Sequence, residues 1–379
     1  MFRRTEESKL TSWFFEIDRR LLYVVLLMIA IGMFFAVSAG SVAAERINQP
    51  WYFFIAKALP FYFIGIITLF VASLLNKKYV LWISIAVVAV GFALLGVTVI
   101  SPHVIKGSAR FVALGPVNVL PSDIMKPGFI MLTAWFLAGM RHRFGEKMFI
   151  VRDAWRIRWM SWWTYIALFV PMLVIILTHP DVGTSLLYLG VLVVMLVIAG
   201  LPWSIFAGLI CGGVGMLVFA YYTMPHVHGR IESMLTGTGD TYQVTQSVQS
   251  IQHGGLFGRG DDAFIKQSLP DAHTDFIYAA IVEDLGAIMA CLLLGLLVYV
   301  LKLLVTDALG ARDRFVFYAV GGAAALFGIQ SCINLISTLH LFAPKGMTLP
   351  FISYGGSSLV GFCLLFGMVL AIVREDKWK

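Results

Sequence analysis

Apolar residues run along this chain in blocks of about twenty, separated by short polar turns. The blocks cover residues 21–43, 51–75, 79–101, 122–140, 161–178, 183–199, 201–223, 276–302, 312–339 and 351–373. A helix needs roughly 20 apolar residues to cross a hydrocarbon core, where backbone amides must pair within the segment. The pattern predicts ten membrane-spanning helices. Pro60 and Pro127 fall inside blocks and are expected to kink them. The first block follows Arg19 and Arg20 and precedes a small-residue stretch. It exceeds the ~7–15 apolar residues of a signal peptide, so an uncleaved first span is expected.

Composition fits an all-α polytopic membrane protein. The 379 residues are 59% hydrophobic and 13% charged, with mean hydropathy +0.86. A soluble domain of this length is not built that way. Charge then sets the orientation. With residues 1–20 and 374–379 both in the cytoplasm and the sides alternating, the inner segments hold most of the 28 Lys and Arg. The 141–160 loop is the most basic of them, as the positive-inside rule requires. Residues 21–373 form one ten-helix domain. The net charge of +7 reflects this orientation and does not indicate nucleic-acid binding. The four cysteines lie far apart within apolar blocks and read as small core residues.

The outer side carries the unusual sequence. Residues 224–275, between the seventh and eighth spans, are far longer than an ordinary connection. Within them YQVTQSVQSIQ has the spacing of an amphipathic helix, suited to the membrane surface. At the loop's end Asp275 stands at the mouth of the eighth span. It is a candidate for proton chemistry there, or, with Thr274, a helix cap. Lys126, in the fourth span, either meets an anionic group or pairs locally with Asp123. Lys57 reads as a snorkelling lysine. Helical spacing puts Glu283 nearer the Asp275 face than Asp284. The run GGLFGRG, with Arg259 and then Lys266, is either a phosphate cradle or a plain glycine turn. Arg110, Asp181 and Lys345 complete the outer-side candidates, and GGSS after Lys345 suggests close helix contact. No histidine has metal-ligand spacing, so no metal site is expected.

Taken together, LPDAHTDFIYAAIVEDLG, GGLFGRG, KGMTLPFISYGGSSL, HPDVGTSLL and KGSARF…LGPVNVLPSDIMK resemble the shape, elongation, division and sporulation family of FtsW, RodA and SpoVE. The resemblance runs from about residue 21 to 373, and the KGMTLPFISYGGSS form looks most like FtsW. It implies a peptidoglycan glycosyltransferase that polymerises lipid II on the outer face of the cytoplasmic membrane. It further implies a class B penicillin-binding transpeptidase as partner, other divisome proteins nearby, and a place at the septum. The family's essential aspartate falls on Asp275, its lysine on Lys126, its arginine on Arg110 and its second aspartate on Asp181. Arg259, Lys266, Glu283 and Lys345 are the further substrate-binding candidates. Phe111, Leu120, Asp123 and His179 depart from the family pattern, which usually has Trp, Gln, Glu and Gln. No cofactor is implied, and dependence on a divalent cation stays open. A RodA-type elongation enzyme, a lipid II flippase and a non-catalytic scaffold are the alternatives.

Overall fold

The computed structural model describes residues 9–100, 110–114, 117–156, 159–179, 181–225, 228–229, 232, 242–339, 341 and 346–378. After a short helix α1 (Lys9–Glu16), each expected block holds one long helix. These are α2 (Arg19–Arg46), α3 (Phe53–Ser73), α4 (Lys77–Ile100), α5 (Pro121–Phe144), α6 (Trp162–Thr178), α7 (Val182–Ile198) and α8 (Trp203–Thr223). After α9 (Tyr242–Gly254) in the long loop come α10 (Ile277–Leu309), α11 (Arg314–Thr338) and α12 (Gly356–Trp378). Among the described residues, seven helices are long and apolar enough to cross a membrane; α6 and α7, at 17 residues each, are shorter. A two-stranded hairpin, β1 (Val112–Leu114) and β2 (Val117–Val119), precedes α5.

Helix starts follow side-chain chemistry. Asp18, Ser161, Asp181 and Asp313 each accept a backbone N–H in the first turn of α2, α6, α7 and α11. The core lies where α12 packs along α3, α4 along α5, and α10 along α11. Cys363 belongs to that core, but Cys211, Cys291 and Cys332 face outward, so three of the four cysteines are not core residues. Lys57 is exposed, its ammonium 4.1 Å from the Phe53 ring centroid.

One end of the bundle is tied by charge. The Lys377 ammonium lies 2.7 Å from Asp307 and 3.3 Å from Asp18. Asp376 accepts the amides of Arg312 and Asp313, at 2.8 and 2.9 Å. Glu375 accepts the amide of Lys77 at 2.7 Å. The C-terminal end of α12 thus clasps the start of α2, the α3–α4 turn and the α10–α11 turn. Lys377→Met leaves the buried Asp307 carboxylate without its cation, and a melting temperature lower by a few degrees is expected. Adding Asp307→Asn should restore most of the loss in the same thermal scan.

At the opposite end, two segments depart from simple spans. Residues 346–355 are not helical, so α12 starts five residues later than its apolar block. The backbone of this segment runs through the protein interior, with Leu349, Phe351 and Ile352 buried. Irregular backbone at such depth is tolerated only inside protein. Gly32 allows it: a Cβ there would stand 2.1 Å from the Phe351 carbonyl oxygen. The close contact expected of the GGSS run is also present, since a Cβ on Gly356 would meet the Phe61 ring at 2.5 Å. The second departure is α10, whose helix is broken at Gly286 (φ 83°, ψ 172°).

Candidate active site

Asp275 lies in a turn, not in the helix that follows. The carbonyl of Asp271, held at φ 53°, accepts the amides of Thr274, Asp275 and Phe276 at 3.0, 3.1 and 3.4 Å. The cap of α10 is Phe276, with no side-chain bond, and the Thr274 hydroxyl donates back to Asp271. The cap position thus falls one residue beyond Asp275 and two beyond Thr274. The Asp275 carboxylate packs against Gly346, where a Cβ would come within 2.8 Å of Oδ2. Its carbonyl accepts Nδ2–H of Asn334 at 2.9 Å, and the same nitrogen donates to the Met347 carbonyl at 2.6 Å. Asn334 is 0% exposed, and its Oδ1 has no hydrogen-bond partner among the described residues.

One turn earlier on the same face of α11, Gln330 makes the matching connection. Its Nε2 donates to the Thr348 carbonyl at 2.9 Å, and its Oε1 accepts from Lys126 Nζ at 2.8 Å. Lys126, 5% exposed, also donates to Asp123 at 2.6 Å. The local ion pair foreseen for Lys126 is thus present, and through Gln330 it is part of a larger network. Ser357 donates to the other Asp123 oxygen at 3.3 Å. The 270–276 turn, the 346–358 segment, α5 and α11 are knitted together, with Asp275 at one end and Lys126 at the other. Gln330 and Asn334 were missed in the sequence. The signal that would have found them is two amides four residues apart in an otherwise apolar span.

Arg110 and Asp181 are brought together with each other. Arg110 Nη1 lies 3.4 Å from Asp181 Oδ2, while Asp181 caps α7 by accepting the Thr184 amide at 3.1 Å and its hydroxyl at 2.9 Å. Arg110 stands 5.4 Å from the Phe111 ring centroid. Tyr188, on α7, donates to the Ser122 carbonyl at 2.6 Å and so ties this helix to the start of α5 beside Asp123. Lys345 lies outside the described residues.

Glu283, Lys266 and Arg259 form a second group. Glu283 is 0% exposed and accepts from Ser250, the Ile265 amide and the Lys266 amide at 2.8, 2.8 and 2.6 Å, with His253 Nδ1 at 2.9 Å. Both oxygens are engaged by the long loop, so the structure turns Glu283 to the loop and not to Asp275. Lys266 pairs with Asp284, which also accepts from Ser38 at 2.8 Å. Arg259 Nε donates to the His253 carbonyl at 2.8 Å. Helix α9 is the amphipathic helix expected, but buried Ser247 and Ser250 seat it on the bundle instead of the membrane surface.

The glycine run fills the break in α10. The Arg259 amide donates to the Glu283 carbonyl at 2.8 Å, and the amides of Ala287 and Ile288 donate to the carbonyls of Gly255 and Leu256, at 2.9 and 3.3 Å. The contacts give the turn reading, not the phosphate cradle. A Cβ at Gly286 would meet the Leu256 carbonyl oxygen at 2.3 Å, and φ there is one that side chains resist. Gly286→Ala is expected to unseat the run, speeding tryptic cleavage after Arg259 several-fold relative to the unsubstituted protein.

A family model described as a cell cycle protein, FTSW_RODA_SPOVE, matches residues 18–378. The chain is 32% identical over 383 residues to the "Probable peptidoglycan glycosyltransferase FtsW" of Caulobacter vibrioides, covering 99% of this chain and 93% of that protein. It is 31% identical over 383 residues to the stage V sporulation protein E of Bacillus subtilis, covering 95% of this chain and 98% of that protein. Among solved structures it resembles the rod shape determining protein RodA of Thermus thermophilus, with TM-score 0.68 and 23% identity over 96% of this chain and 98% of that one. A chain of a peptidoglycan synthase complex that coordinates polymerization and crosslinking matches with TM-score 0.75 and 23% identity, over 96% and 99%. These two likenesses bear on the fold.

Proposed function

The chain belongs to the cell cycle protein family of FtsW, RodA and SpoVE, and from that premise we propose a peptidoglycan glycosyltransferase that polymerises lipid II at the cell-division septum. Ten helices cross the cytoplasmic membrane with both termini inside. The tied end of the bundle, where α1 and the end of α12 meet, is the cytoplasmic end. Asp275 and the long loop then lie outside, where lipid II presents its sugars.

The reaction needs a base, an acceptor hydroxyl and a stabilised leaving group. Asp275 takes the proton from the 4-hydroxyl of the acceptor GlcNAc. That oxygen forms a bond to C1 of the donor MurNAc, with inversion. The bond from C1 to the pyrophosphate oxygen breaks, and undecaprenyl pyrophosphate leaves as an anion. Lys126 and Arg110 hold positive charge against it, with Asp181 fixing Arg110. An apolar groove of about 440 Å³ between α7 and α11, lined by Leu186, Ile333, Ile336 and Met347, suits a polyprenyl chain, and Met347 is also the residue whose carbonyl accepts from Asn334. The observation that carries the reading is the network from the Asp275 turn through Asn334 and Gln330 to Lys126.

The partner is a class B transpeptidase, in keeping with a relative found in a synthase complex. A lipid II transporter is the second reading, favoured by the broken helix, a feature of transporters. Here, however, the break is filled by backbone of the glycine run. Purified protein given labelled lipid II, with its partner, should yield glycan ladders on a gel. Translocation across proteoliposomes without polymer would support the transporter instead. A fluorescent fusion should gather at mid-cell, and a sidewall pattern would indicate the elongation role.

A further inference from the structure

The 33 residues of α10 amount to about 50 Å of helix at ~1.5 Å per residue, well beyond a hydrocarbon core of ~30 Å. Part of α10 must lie outside the core, and the break at Gly286 divides it. Before the break, residues 277–284 are buried in protein without exception. After it, Ile288, Met289 and Leu292 are exposed large apolar side chains, the pattern of a lipid-facing helix. At the far end Asp307 joins Lys377 in the charged clasp. Residues 287–306 fill the interval between break and clasp, about 30 Å of helix. The lipid-crossing part of the eighth span therefore starts at the break, not at Ile277, and the break marks the outer face of the hydrocarbon core.

The glycine run is bonded to the helix at this level, through Gly255 to Ala287 and Leu256 to Ile288. Its tip carries Leu256 and Phe257, 65% and 82% exposed. Large apolar side chains gain by leaving water, so water is a poor medium for this pair. The Leu256 carbonyl accepts the Ile288 amide, so the pair stands beside the first lipid-facing turn of α10. Arg259, also exposed, follows two residues later. We propose that residues 254–260 are a membrane anchor, with Leu256 and Phe257 seated at the boundary of acyl chains and headgroups in the outer leaflet and Arg259 among the lipid phosphates. Aromatic and basic residues favour that zone. The anchor pins the long loop at a fixed height, and with it the half of α10 that leads to Asp275.

The test is a depth measurement. Phe257→Cys is made in a chain whose Cys211, Cys291, Cys332 and Cys363 are replaced by Ala. It is nitroxide-labelled and reconstituted in phosphatidylethanolamine–phosphatidylglycerol vesicles. Relaxation by oxygen and by an aqueous nickel chelate is compared with labels at Ile288 and at Gln249, an exposed position on α9. At 257, high oxygen accessibility and a nickel accessibility several-fold below that at 249 are expected, close to the values at 288. A label at Leu256 gives a second reading of depth. Nickel accessibility at 257 equal to that at 249 would overturn the anchor. So would shielding from both reagents, since that would place a second copy over the tip.

Discussion

Replacing Lys126 by Met should cost about 3–5 kcal/mol of stability and abolish polymerisation, and the two losses should separate. The stability loss arises because Asp123, 9% exposed, is left as a buried carboxyl group without its cation. Ser357 remains as a donor but does not neutralise it. Gln330 loses its acceptor role as well, and a buried acceptor left unmade adds to the cost. Removing the stranded carboxyl group by Asp123→Asn should return most of the stability. It should not return activity, because the leaving pyrophosphate still lacks the ammonium that balances it. Thermal unfolding in detergent and a lipid II polymerisation gel on the single and double variants read the two effects. Activity recovered in the double variant would make Lys126 a packing residue alone.

The ten apolar blocks predict the ten helices because burial from water is read directly from hydropathy. Tertiary detail is not. The 351–373 block looked continuous, yet its first five residues, through Gly355, belong to a segment that stays irregular until α12 begins, and only the protein around it makes that backbone acceptable. Asp275 at a helix mouth looked like a cap because acidic residues so often serve there. The turn instead closes on the Asp271 carbonyl, which no periodicity announces. Glu283 was placed by helical angle near Asp275, but a break three residues on, filled by a loop from thirty residues upstream, decides what it touches. Gln330 and Asn334 carry no charge and form no motif by themselves. Their meaning depends on which carbonyls the 346–349 segment presents to them. Arg110 and Asp181 were separate candidates in the sequence, and only folding shows them to be partners.

Asp275→Asn is the sharper of the two tests, because it removes the basic oxygen with almost no change of shape. At the turn, the Asp275 amide donates to the Asp271 carbonyl and the Asp275 carbonyl accepts from Asn334, both through the backbone of residue 275. An amide of the same size leaves both in place, so the variant should fold and insert as the parent does. It cannot accept the proton of the acceptor hydroxyl, and loss of a general base typically lowers rate by about 10²–10⁴-fold. The direct measurement is the initial rate of glycan formation from labelled lipid II. It is taken with Asp275→Asn and the parent protein at matched amounts and equal melting temperature, each with its transpeptidase. The account predicts a fall of at least about 10²-fold. Glycan chains made at the parent's rate would contradict it.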